Sequence, residues 1–180
     1  PDPSPARSFF IDITATSQTD LKTGIERVAR ALLLSLIDAP PLGYRVEPVY
    51  LSDRGGYWHY RYARHYTLDL LECPTHWLDD EPIDARAGDI LFGADLAGYT
   101  VVEADNSGVY KILKQIGVYI CFTVFDLLPI KMPEFFPPGA DKDFFIWLNS
   151  IYRIADHVIC ISSSVADEFR HWVDNNCLPR

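Results

Sequence analysis

Val118–Phe125 (VYICFTVF) is a continuous apolar run with no alternation between apolar and polar positions. A strand with one wet face alternates, so an unbroken run of this length predicts a strand covered on both faces, the usual state in a parallel sheet. Its neighbours support that frame. Ser107–Gln115 reads as a helix before it, and Pro129–Ala140 (PIKMPEFFPPGA) as a proline-rich loop after it. A second helix is expected over Asp141–Ala155, with Phe144, Phe145, Leu148, Ile151 and Tyr152 on one side. His157–Ile161 (HVICI) then predicts a strand and Ser164–Asn175 a helix.

The N-terminal part follows the same alternation. Pro1–Arg7 is a proline-spaced leader, and Ser8–Ile13 (SFFIDI) a short buried strand, apolar apart from Asp12 and Ser8. Thr14–Asp20 reads as a polar loop. The helix expected over Leu21–Asp38 places Ile25, Val28, Ala29, Leu32, Leu33, Leu36 and Ile37 at helical spacing and is stopped by Pro40 and Pro41. Tyr44–Leu51 predicts a strand that Pro48 assigns to an edge or a bulge. Tyr57–Glu72 reads as a strand passing into a helix, Cys73–Ala87 as an acidic connection, and Ile90–Phe92 as a further strand. Strands alternating with helices imply an α/β domain, a Rossmann-like three-layer αβα sandwich with a mainly parallel sheet over residues 8–175.

The composition narrows the function classes. The 180 residues are 48% hydrophobic and 23% charged, which fits one globular domain. A net charge of −9 argues against nucleic-acid binding, which needs a basic face. That charge is local: Asp69–Asp105 carries ten acidic residues and one basic residue, Arg86. No basic amphipathic patch is evident, and no apolar run is long enough to span a membrane. The four cysteines form no C-x-x-C unit, and the five histidines lack metal-ligand spacing, so no metal site is expected. The missing initial Met and the stop just past a helical pattern suggest a piece of a longer chain.

In an open parallel sheet, ligands lie beyond the carboxyl ends of the strands, which selects the loops Thr14–Gly24, Gly93–Gly98, Asp126–Gly139 and Ser162–Ser164. No G-x-G-x-x-G, no P-loop and no G-x-S-x-G occurs, so dinucleotide, nucleotide-hydrolysing and serine-hydrolase chemistry lose their devices. Thr23-Gly24 opens a helix and either contacts a phosphate or sugar oxygen or makes an ordinary turn. Asp126 leaves the end of a buried strand, where it serves a site or caps the loop. Ser164 with Asp167 has the spacing of a capping box. The aromatic-basic cluster Tyr57–Tyr66 reads mainly as packing.

Taken in order, Phe10–Asp12, Thr23–Val28, Gly88–Leu96, Val124–Pro129 with Pro133–Pro137, and Ala155–Ser162 resemble the N-terminal half of bacterial family 4 (group 1) glycosyltransferases. The closest pattern is that of mannosyltransferase-like and rhamnosyltransferase-like enzymes of polysaccharide and O-antigen assembly. The resemblance implies one Rossmann-like half of a GT-B fold, on the acceptor side of a retaining enzyme that needs no catalytic metal or cofactor. Its nucleotide-sugar donor is held mainly by a C-terminal domain, to which residues 176–180 would lead. The implied acceptor is a glycan or a lipid-linked sugar, in the cytoplasm or at the cytoplasmic face of the inner membrane, where many relatives work with peripheral membrane association. Carried onto this sequence, Asp126 is the catalytic candidate, and Thr23, Gly24, Arg27, Asp95, Ser162 and Ser163 are the substrate-binding candidates. Two features depart from the pattern: the first loop has one glycine where many members have two, and the E-x7-E motif of the donor half is absent. A non-catalytic binding module, or a nucleotide-sugar-modifying enzyme on the same frame, are the alternative readings.

Overall fold

Parallel pairing organises the sheet. In the computed structural model, which describes residues 6–18 and 24–176, the strands are β1 (Arg7–Asp12), β2 (Tyr44–Ser52), β3 (His59–Tyr62), β4 (Ile90–Gly93), β5 (Tyr119–Val124) and β6 (His157–Cys160). They lie in the order β3-β2-β1-β4-β5-β6. Every pairing is parallel except β2 with β3. This is the doubly wound order, with the strand sequence reversing direction between β1 and β4.

Helices cover both faces: α1 (Thr14–Gln18), α2 (Gly24–Asp38), α3 (Arg64–Leu70), α4 (Gly98–Asn106), α5 (Val109–Ile116), α6 (Leu128–Lys131), α7 (Ala140–Ile154) and α8 (Ser163–Asn176). The period-2 geometry of each strand splits its apolar run between two cores. Phe10, Leu91, Ile120, Phe122 and Val124 pack with α4, α5, α7 and α8. Ile11, Phe92 and Cys121 face the other way, onto Ala29 and Leu33 of α2. Phe10, Ile11, Leu33 and Ile120 are fully buried, and each such side chain contributes on the order of 1.5–3 kcal/mol by leaving water.

Two carboxylates, Asp89 buried and Asp156 half-buried, fasten the amino ends of the strands. Asp89, just before β4, accepts from the Ser8 N–H at 2.7 Å and the Arg86 N–H at 2.7 Å. Asp156, just before β6, accepts from the Ile120 N–H at 2.8 Å and pairs with Lys114 at 3.2 Å. At the opposite end, Gly93 is required by packing: a Cβ there would sit 2.4 Å from the Phe122 ring.

The structure corrects several local expectations. Pro48 is neither on an edge nor in a bulge: β2 lies between β3 and β1. Its carbonyl accepts the Ala63 N–H at 2.8 Å, and the donor it lacks has no vacant acceptor, because the Ala63 carbonyl already takes the Thr67 N–H at 3.0 Å. The proline thus sits where β3 turns into α3 and no ladder bond is lost. The polar stretch after β1 is helical, as α1. The helix expected over Ser107–Gln115 is present as α5, while α4 before it was not expected; the two are divided at Gly108, whose φ of +88° breaks the helical path. The proline-rich loop contains α6 and a 3-10 turn at Pro133–Phe135. The last helix is capped by Ser162, whose Oγ accepts the Val165 N–H at 3.2 Å, while Asp167 pairs with Arg170 instead of closing a box with Ser164.

Candidate functional site

Because β1, β4, β5 and β6 run parallel, their carboxyl ends bring Asp12, Asp95, Asp126 and Ser162 to one edge of the sheet. The crevice where ligands enter such a fold lies between β1 and β4. There the chain places a buried carboxylate, Asp12, 2% exposed. Its Oδ1 accepts from the Thr14 N–H at 3.0 Å and the Thr14 hydroxyl at 2.5 Å. Its Oδ2 accepts from the Tyr60 hydroxyl at 2.6 Å. With its one proton committed to Asp12, Tyr60 is left as the acceptor for the Tyr110 hydroxyl, 3.1 Å away. The Thr14 oxygen in turn accepts the Leu51 N–H at 2.8 Å, which ties the site to β2.

The second carboxylate, Asp95, is 5% exposed and accepts the Thr16 N–H at 2.8 Å. Asp12 and Asp95 thereby satisfy the orphan N–H groups at the start of α1, which explains why a polar, threonine-rich segment is helical there. Burial, with the Asp12 charge added, pushes the Asp95 carboxyl up to about 7, against the lowering effect of the Thr16 and Ala15 N–H groups. Burial likewise raises Asp12, opposed by its bonds to Thr14 and Tyr60. Among the described residues no cation bonds to either carboxyl, and Asp95 is partly protonated near neutral pH. Burial, then the Asp12 charge, holds both tyrosines well above their ordinary value, as neutral donors.

Asp126 is half-buried, and its Oδ1 accepts the Leu128 N–H at 3.0 Å, bracing the start of α6. Its second oxygen has no protein donor among the described residues. Gly24 is the first residue of α2, is exposed, and has open space where a Cβ would stand. Arg27 is exposed on the same helix. Ser162 and Ser163 are exposed at the start of α8. Thr23 lies outside the described residues. The structure thus puts Asp95, Asp126, Ser162 and Ser163 at the carboxyl edge, with Gly24 and Arg27 on the helix that follows the β1–α1 segment. Among the described residues, no three His, Cys, Asp or Glu side chains gather as a metal-binding group, and no helix is long and apolar enough to cross a membrane.

Sequence reasoning did not single out Asp12, Thr14, Tyr60 and Tyr110 as a unit. One signal was available: Asp12 is the only charged residue among the apolar positions of SFFIDI, and it stands at the end of the strand. Its tyrosine partners are 48 and 98 residues away in the chain, so no local pattern joins them.

No known family model matches the chain. Three curated sequences of the serotype-specific mannosyltransferase WbdA from Escherichia coli are each 34% identical to it over 170 residues, which is 94% of this chain. The chain spans only 19–20% of the length of these relatives. By sequence the chain is similar to one segment of these bacterial mannosyltransferases, and by fold it is an α/β Rossmann-like unit built on a mainly parallel six-stranded sheet.

Proposed function

We propose that this chain is the acceptor-side half of a retaining glycosyltransferase that moves a sugar from a nucleotide-sugar donor to a glycan or lipid-linked acceptor during cell-surface polysaccharide synthesis. The observation that carries the reading is the 34% identity to a mannosyltransferase across 94% of the chain. The donor is a substrate and no further cofactor is needed. A separate C-terminal unit supplies most of the donor site, in keeping with the small share of the relatives that this chain spans.

The carboxyl edge has suitable chemistry for its half of the cleft. Asp126 is the most accessible of the strand-end carboxylates, with Oδ1 fixed by Leu128 and Oδ2 turned over to a ligand. It holds a hydroxyl of the transferred or accepting sugar and takes up or returns a proton there. Asp95 and Asp12 fix α1, which packs beside α2, the helix that carries Gly24 and Arg27. Gly24 lets a donor phosphate or sugar oxygen approach the start of α2, whose N–H groups favour an anion. Ser162 and Ser163 offer hydroxyl and N–H groups at the β6 end. The isolated half lacks the electrostatic stabilisation of the leaving nucleoside diphosphate that the other half provides, so it does not turn over alone.

The test is transfer of labelled mannose from nucleotide-activated mannose to a mannose-terminated glycan. A polypeptide carrying this sequence with its native continuation should transfer sugar, and the 180-residue chain should not. Transfer by the short chain alone would overturn the half-site assignment, and no transfer by the longer one would overturn the activity.

A further inference from the structure

A groove of about 600 Å3 opens where α4, α6 and α7 meet, on the face of the domain away from α2. Leu96 and Pro129 place it beside the candidate site: Leu96 follows Asp95 on the segment leaving β4, and Pro129 follows Asp126 by three residues on the segment leaving β5. Its lining is mostly apolar and strongly aromatic, with Tyr99, Phe136, Phe144 and Trp147. Tyr99 is 77% exposed and presents its ring to the groove. Trp147 is 2% exposed, yet its indole N–H has no acceptor among the described residues.

The polar members of the lining are both carboxylates, Glu103 and Asp143, and no basic side chain is among them. Neither carboxylate has a side-chain partner among the described residues. Carboxylates only accept hydrogen bonds, so the matching ligand is rich in donors and carries no negative charge. Aromatic faces suit its apolar surfaces, and a few fixed polar groups set its orientation. A pyranose meets all of these demands, with C–H faces for the rings and hydroxyls for the carboxylates. A diphosphate or an anionic lipid headgroup meets the wrong charge.

We infer that this groove binds the acceptor as a neutral oligosaccharide, with sugar rings stacked on Tyr99 and Phe136 and hydroxyls bonded to Glu103 and Asp143. The inference rests on the transferase reading for its purpose, though not for its geometry. It assigns the groove to the glycan portion of the acceptor and leaves the reacting end at the strand-end loops, beside Asp126.

The experiment has two arms. In the first, the 180-residue chain is titrated with α-linked mannotriose, followed by tryptophan fluorescence and ligand-observed NMR. Saturable binding is expected, weakened at least about tenfold by Tyr99→Ala and by Glu103→Gln. Tyr99 is too exposed for its loss to unfold the chain, and Glu103→Gln keeps the side-chain shape. Absence of binding, or binding that both variants leave unchanged, overturns the inference. So does a short-chain prenyl diphosphate that binds in a Tyr99-dependent way where mannotriose does not. In the second arm, the longer polypeptide is assayed for transfer. A raised acceptor KM with unchanged donor KM in Tyr99→Ala supports the groove, and an unchanged acceptor KM overturns it while leaving the transferase reading intact. Tyr99-dependent glycan binding without any transfer by the longer polypeptide keeps the groove and removes the transferase reading.

Discussion

Replacing Asp95 by Asn should make the protein more stable at alkaline pH, although it removes a buried and fully engaged side chain. In the folded chain the Asp95 carboxyl is raised to about 7 from an ordinary 3.8. A raised carboxyl pKa means that the folded state prefers the protonated form, so ionisation counts against folding. Its cost is absent below pH 3.8, grows as pH rises from there, and is fully present above about 7. At about 1.4 kcal/mol per pH unit, the full cost is somewhat more than about 4 kcal/mol, and roughly 2 kcal/mol of it develops between about pH 5.5 and pH 8. Asn keeps an oxygen to accept the Thr16 N–H and carries no charge. Urea denaturation of both proteins at those two pH values is the assay. The wild type should lose about 2 kcal/mol more than Asp95→Asn on going to pH 8. A variant less stable than the wild type at pH 8, with parallel pH dependences, would refute the assignment of a strained buried carboxylate.

Three further outcomes follow from single contacts. Gly93→Ala should cost about 1–3 kcal/mol in thermal or chemical denaturation, because its Cβ would meet the Phe122 ring at 2.4 Å; Phe122→Leu should relieve most of the loss. Gly24→Ala meets no atom of the chain and should leave stability within about 0.5 kcal/mol, while lowering transfer by the longer polypeptide if a ligand approaches there. Asp126→Asn keeps an oxygen for the Leu128 N–H, so the fold should persist, and turnover by the longer polypeptide should fall by more than about tenfold; unchanged kinetics would assign Asp126 to bracing α6 alone.

Legibility in the sequence tracked how local the cause was. β4 and β5 were readable because strands buried on both faces leave continuous apolar runs, β6 from its short apolar run although it is an edge strand with His157 and Ile159 exposed, and α2 and α7 because their apolar residues recur at helical spacing. α1 was not, since its helical N–H groups are satisfied by Asp95, 79 residues from Thr16. α4 was hidden for a related reason: Gly98–Asn106 is polar and β-branched, and burial of Val101 and Ala104 on the sheet holds it helical. Pro48 misled because an edge strand is the usual refuge of proline, and the turn of β3 into α3 supplies another. At the site, strand-end reasoning reached Asp95, Asp126 and Ser162. It missed the Asp12–Tyr60–Tyr110 chain, which only the packing of β1, β3 and α5 assembles.

Asp89 and Asp156 stand at the far side of the sheet from the candidate chemistry, one sealing β1 to β4 and the other β5 to β6. The domain thus has a division of labour between two rims. One is riveted by carboxylates that answer to backbone N–H groups, so its residues are constrained by architecture whatever sugar is handled. The other holds Asp12, Gly93 and Asp95 in place as well, but it also carries exposed loop side chains, such as Ser162 and Ser163, that are free to be exchanged without unpicking the strands. A mutational scan should therefore separate into two populations: damage at the riveted rim, or at the buried Asp12, Gly93 and Asp95, registers as lost protein, and damage at the exposed loop side chains of the open rim as lost specificity in protein that still folds.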